Sequence, residues 1–156
     1  MIRRKRGSYF SEDDAVKPPL EARTFRKVRF EEVDSLHIVW HGRYPGYLED
    51  GRAAFGDLYG LEYLTMYEND FLAPIAMMHI DYHNSLELAE DFEIIARLHW
   101  TESARLNFSY ELRKASGNLV ATAYTVQLFM NSSKEPLIIR PDYIDRFFNL
   151  WEGNKR

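Results

Sequence analysis

The chain has 156 residues, 46% of them hydrophobic and 15% aromatic, which suits one folded domain with a single core. It contains no cysteine, so disulfides, thiolate metal sites and a cysteine nucleophile are excluded. The net charge of -4 argues against a nucleic-acid partner, no apolar run approaches the ~20 residues of a membrane span, and the first residues lack a secretory signal's apolar core. A cytoplasmic protein is the expectation.

Residues 1–22 read as an N-terminal extension, partly disordered. Its basic run Ile2-Arg3-Arg4-Lys5-Arg6 and its acids Glu12, Asp13 and Asp14 suit solvent, and Pro18-Pro19 stops regular structure. A single domain is expected over 23–156. Residues 24–30 alternate loosely and read as a first strand. A loop holding one acid, Asp34, leads into a helix that runs to about Tyr59. Tyr44, Tyr47, Leu48, Gly51, Phe55 and Leu58 recur on it at the three-and-four spacing of a buried face. Pro45 fits the first turn, where its missing N–H costs little. Gly51 on the apolar stripe implies that something packs close to the backbone.

Residues 61–72 read as a mixed connection. The period then changes to two. Residues 75–82 place Met77, His79 and Asp81 on one side and Met78, Ile80 and Tyr82 on the other. Strands follow over 92–100, 106–113 and 119–130, with turns at 101–103 and 116–118. In the last strand Val120, Tyr124, Val126, Leu128 and Met130 are expected to share a face. Ile144, Phe147, Phe148 and Trp151 mark a C-terminal helix with Pro141 near its start. Consecutive strands joined by short turns predict a meander with one face for the central helix.

The run FEEVDSLHIVWHGRYPGYLEDGR, residues 30–52, resembles the signature of the 4-hydroxybenzoyl-CoA thioesterase family of hotdog-fold proteins. Phe30, Asp34, Ile38, Val39, Trp40, His41, Tyr44, Glu49 and Arg52 carry the resemblance. The family's turn glycine is missing near Leu36 and His37. Arg43 stands where Asn is common, and His83-Asn84-Ser85 replaces a proline after the second strand. The resemblance implies an α+β hotdog fold, an antiparallel five-stranded sheet wrapped around a long central helix. It also implies homodimers or homotetramers with sheets joined edge to edge.

The activity implied is hydrolysis of an acyl-coenzyme A thioester, or of an acyl-carrier thioester, with no cofactor and no metal. Asp34 would attack the carbonyl or activate water, and backbone N–H groups of Trp40 and His41 would hold the oxyanion. His37, Val39, Tyr44 and Tyr47 would contact substrate. Glu49 would pair in charge with Arg52 or across a dimer, and Arg97, Arg105, Arg113 and Lys114 could meet coenzyme A phosphates. From the residues alone, Asp34 could equally cap its own loop. Asp34, His37 and His41, or His79, Asp81 and His83, could chelate a metal, but neither set has a recognised metal-site spacing. Two alternatives share the fold: a non-catalytic acyl-thioester binding module, suggested by the altered turn, and a hydratase or dehydratase using Asp34 with His37.

Overall fold

The computed structural model describes residues 9–10 and 17–153, without the side chains of Glu152 and Gly153. The basic run and the acids of the N-terminal extension lie outside the described residues. The strands are β1 (Leu20–Lys27), β2 (Ile75–Tyr82), β3 (Asp91–His99), β4 (Arg105–Lys114) and β5 (Leu119–Leu128). The helices are α1 (Tyr44–Tyr59), α2 (Tyr63–Glu68) and α3 (Asp142–Gly153). All strands join one antiparallel sheet in the order β1-β3-β4-β5-β2, with α1 packed on one face, the hotdog arrangement the resemblance implies.

β1 begins at Leu20, earlier than the alternation at 24–30 suggests. Phe30 instead opens a short 3-10 turn, Phe30–Glu32, and is 81% exposed. The meander holds only for β3, β4 and β5. β2 pairs with β5 rather than β3, so residues 83–90 form a crossover and β2 takes the far edge. The connection at 61–72 contains α2, whose single buried residue, Met66, is too weak an apolar signal to mark a helix.

α1 buries Tyr44, Tyr47, Leu48, Gly51, Arg52, Phe55 and Gly56. Phe55 is fully buried and meets Phe108 edge-on at 5.0 Å. Burying such a side chain contributes about 1.5–3 kcal/mol. Leu58, expected on the stripe, is 63% exposed; the buried arc turns instead through Arg52 and Gly56. Gly51 lies where the helix crosses the sheet. A Cβ there would sit 2.8 Å from Ile94 Cγ2 and 3.6 Å from the Ala96 Cβ. The first distance is closer than packed atoms tolerate, so the backbone approach the glycine implies is real.

The register fixes which residues face α1. Ile94 pairs with Leu112, Ala96 with Tyr110 and Leu98 with Phe108; these last three β4 residues pair in turn with Ala121, Ala123 and Thr125. In β5 the helix side is therefore Ala121, Ala123, Thr125 and Gln127, and Tyr124 and Val126 lie on the other side. Tyr124 and Val126 share a face as expected, but it is the one away from α1: small side chains sit beneath the packed helix, so bulk does not mark the inside. Leu128 is 46% exposed.

α3 closes the end of the sheet beside Trp100, which meets Phe148 at 5.1 Å and Trp151 at 5.2 Å. Tyr143 donates to the Gly60 carbonyl just beyond α1. No described helix is long and apolar enough to cross a membrane.

Candidate active site

The site is built at the N-terminal approach to α1. The segment from Val33 to Val39 closes on itself as a tight hairpin. The Asp34 N–H donates to the Ile38 carbonyl at 2.9 Å, and the His37 N–H returns to the Asp34 carbonyl at 3.0 Å. The Asp34 side chain braces the turn, its Oδ1 accepting the Leu36 N–H at 2.8 Å. His37 has φ 62, the left-handed conformation that favours glycine, and this is where the family places one. The segment then docks: the Val39 N–H donates to Leu86 O at 2.8 Å, and the Trp40 N–H to Glu32 O at 2.9 Å.

A cleft of about 380 Å³ opens beside this turn. Asp34, Leu36, Ile38 and Val39 form one wall, His41 and Tyr44 a second, and residues 82–85 the third. Asp34 thus caps its loop with one oxygen and borders the cleft as well, so the two readings of this acid are compatible. Tyr44 meets Tyr82 edge-on at 4.8 Å. Burial, then the Tyr82 phenol and Glu90, push the Tyr44 pKa up to about 12, so its hydroxyl stays protonated through neutral pH. Tyr82 donates to the His41 carbonyl at 2.9 Å and ties β2 to the helix approach.

Among the described residues, the His41 N–H has no backbone acceptor. It lies at the positive end of α1, where a negative charge is stabilised. The Trp40 N–H is not available in this way, because Glu32 O already takes it. The Trp40 side chain, 49% exposed, folds over Gly42 and lies outside the cleft lining. A Cβ at Gly42 would lie 2.3 Å from that ring.

The other expected residues divide. Val39 and Tyr44 line the cleft; His37 and Tyr47 do not. His37 is exposed and acts through its backbone. Tyr47 is buried against Phe92 at 4.8 Å, and burial, then the nearby Glu32 carboxylate, raise its pKa. Glu49 and Arg52 do not pair. Arg52 is buried, donating to Gln127 Oε1 at 3.0 Å and Leu61 O at 2.9 Å, while Glu49 accepts from the Tyr63 hydroxyl. Arg97, Arg113 and Lys114 are taken up by Glu21, Glu111 and Glu90. His79 lies 3.0 Å from Asp81, and His83 turns to Thr122.

The wall at 82–85 was not anticipated. Its trace in the sequence is the polar run His83-Asn84-Ser85 directly after an apolar strand. Asn84 donates to Leu119 O at 2.6 Å, which holds the run against β5.

A sequence profile of the Thioesterase-like superfamily matches residues 28–148. YneP of Bacillus subtilis (strain 168), named "Putative acyl-CoA thioesterase", is 24% identical over 120 residues, covering 76% of this chain and 87% of its own. Two solved structures share the fold. The DHNA-CoA thioesterase of Staphylococcus aureus superposes with a TM-score of 0.72 at 21% identity, covering 85% of this chain and 87% of that one. Protein SAV2348 of Staphylococcus aureus, in complex with CoA, superposes with a TM-score of 0.75 at 16% identity, covering 88% and 87%. The profile match runs through the Asp34 turn, α1 and the whole β2–β5 sheet, and on it this chain belongs to the thioesterase-like superfamily.

Proposed function

We propose that this protein hydrolyses an acyl-coenzyme A thioester to the free acid and coenzyme A, with Asp34 as the reacting carboxylate. The observation that carries the reading is that Asp34 and His41, whose N–H has no backbone acceptor among the described residues, line the same cleft. Asp34 Oδ1 is held by the Leu36 N–H, which orients the carboxylate and leaves Oδ2 for chemistry. The thioester oxygen would accept from His41 N–H; a donor of this kind is worth about 3 kcal/mol in the transition state. Oδ2 either attacks the carbonyl and expels the thiolate, forming an anhydride that water cleaves, or takes a proton from the attacking water. The names of YneP and of the structural neighbours support the substrate class.

His37, the residue behind the non-catalytic alternative, is exposed and absent from the cleft lining, which favours turnover. β2 lies at a sheet edge with Ile75, Met77, Met78 and Tyr82 exposed, and we assign that edge to a homodimer contact. The test is purified protein against an acyl-CoA panel, read by thiol release. Release that Asp34→Ala abolishes supports the assignment; no release from any ester, or equal release by the variant, defeats it. A single turnover in ¹⁸O-water separates the routes: label enters Asp34 only if the carboxylate is the nucleophile.

A further inference from the structure

Upstream of β1, Tyr9 and Phe10 lie on the sheet face that α1 leaves uncovered. The Tyr9 ring is 4.6 Å from that of Tyr124 and 5.8 Å from that of His79; Phe10 lies 5.1 Å from His99. Phenylalanine would fill the Tyr9 seat as well by shape. What tyrosine adds is a hydroxyl with two hydrogen-bonding neighbours, one of which reaches a third residue.

The Tyr9 hydroxyl donates to Asp81 Oδ2 at 2.6 Å and lies 3.1 Å from Thr122 Oγ1. Thr122 Oγ1 is in turn 3.0 Å from His83 Nε2. Counting protons orders these contacts. Tyr9 has one hydroxyl proton, and the short contact to the carboxylate takes it. The 3.1 Å contact must then be the Thr122 hydroxyl donating to Tyr9 Oη. Thr122 has no proton left for His83, so His83 Nε2 is the donor and Nδ1 is the nitrogen outside the chain. Burial first, and Asp81 next, raise the Tyr9 pKa, so the hydroxyl keeps its proton at neutral pH. His79 Nε2, 3.0 Å from the same Asp81 oxygen, and the stacked Tyr124 complete the polar surroundings.

His83 is also part of the cleft wall at 82–85. One line of hydrogen bonds therefore joins Tyr9, on the outer face, to the lining of the cleft that Asp34 shares. We propose that Tyr9 is a positioning residue for the thioester site: through Thr122 it holds His83, and with it the cleft wall, in the form that binds substrate. The proposal rests on the thioesterase reading above. It gives the extension a function in binding substrate rather than in the reacting step.

The experiment uses the full chain and two readouts: histidine ring ¹⁵N–¹H correlation spectra, and kcat and KM on an acyl-CoA ester the wild type hydrolyses. The wild type is expected to show His83 protonated on Nε2. Tyr9→Phe frees the Thr122 proton, and is expected to change the His83 signature and to raise KM about fivefold with kcat within about twofold. Thr122→Val should reproduce this and Thr122→Ser should not. In a His83→Ala background Tyr9→Phe should add nothing further. Unchanged KM and an unchanged His83 signature in Tyr9→Phe overturn the proposal. So does a lower melting temperature with KM intact, the mark of a merely structural role. A wild type that releases no thiol overturns the thioesterase reading itself, whereas an active wild type matched by Tyr9→Phe overturns only the role of Tyr9.

Discussion

The two ends of α1 treat charge in opposite ways. At the N-terminal end, Asp34 commits one oxygen to the Leu36 N–H and lines an open cleft. Toward the C-terminal end, Arg52 is 2% exposed and engaged through all three of its nitrogens. Its nitrogens reach Gln127, Leu61 O and the Met66 sulfur, and its plane lies 4.7 Å from the Tyr63 ring centroid. About 12 Å of helix separates Tyr44 beside the cleft from Arg52, eight residues at 1.5 Å each. A charge left with spare hydrogen-bonding capacity at a cavity is placed to do chemistry. A charge each of whose three nitrogens finds a partner inside the core holds elements together, and this one joins α1, β5 and the 61–72 connection.

The contrast predicts opposite phenotypes. Asp34→Ala should cost more than about 100-fold in kcat with the melting temperature nearly unchanged, checked by thiol release and calorimetry; a folded, active variant would break the contrast at its catalytic end. Arg52→Met should do the reverse. It leaves Leu61 O and Gln127 Oε1 without their donor, at a cost of about 3 kcal/mol in urea unfolding. Burial draws the Arg52 pKa down while Tyr63, Tyr110 and Glu49 hold it up.

Smaller effects sharpen the picture. Gly51→Ala drives a methyl toward Ile94 Cγ2 and should destabilise by about 1–3 kcal/mol in the same unfolding measurement. His37→Gly relieves a left-handed backbone and should stabilise by up to about 1 kcal/mol while leaving kcat alone, since the ring is outside the cleft. Glu21→Gln should cost less than about 1 kcal/mol, because the pair with Arg23 and Arg97 is partly exposed. Burial opposes the Glu21 charge, but Arg23 and Arg97 outweigh it and the pKa is lowered. A carboxylate with a depressed folded pKa stabilises above its unfolded value. The wild type should therefore lose this increment as pH falls through the folded pKa, and the variant should not.

Local signals alone determined a good deal of this protein. Alternation placed β2 at its observed bounds, the three-and-four spacing found α1 and the aromatic stripe of α3, and the run around Asp34 identified the turn and the helix that follows it. These are properties of neighbouring residues on one backbone, and a short window contains them. The tertiary structure decided what depends on distant partners. It put β2 beside β5, turned the alanines of β5 rather than its bulky residues toward α1, and buried Arg52 by bringing Gln127 to it across 75 residues. It also spent the Trp40 N–H on Glu32 and gave that of His41 no backbone acceptor among the described residues, a distinction no spacing carries. Periodicity reports which way a side chain points along its own strand or helix. Whether a donor is free or satisfied is settled only when another part of the chain arrives to accept its proton.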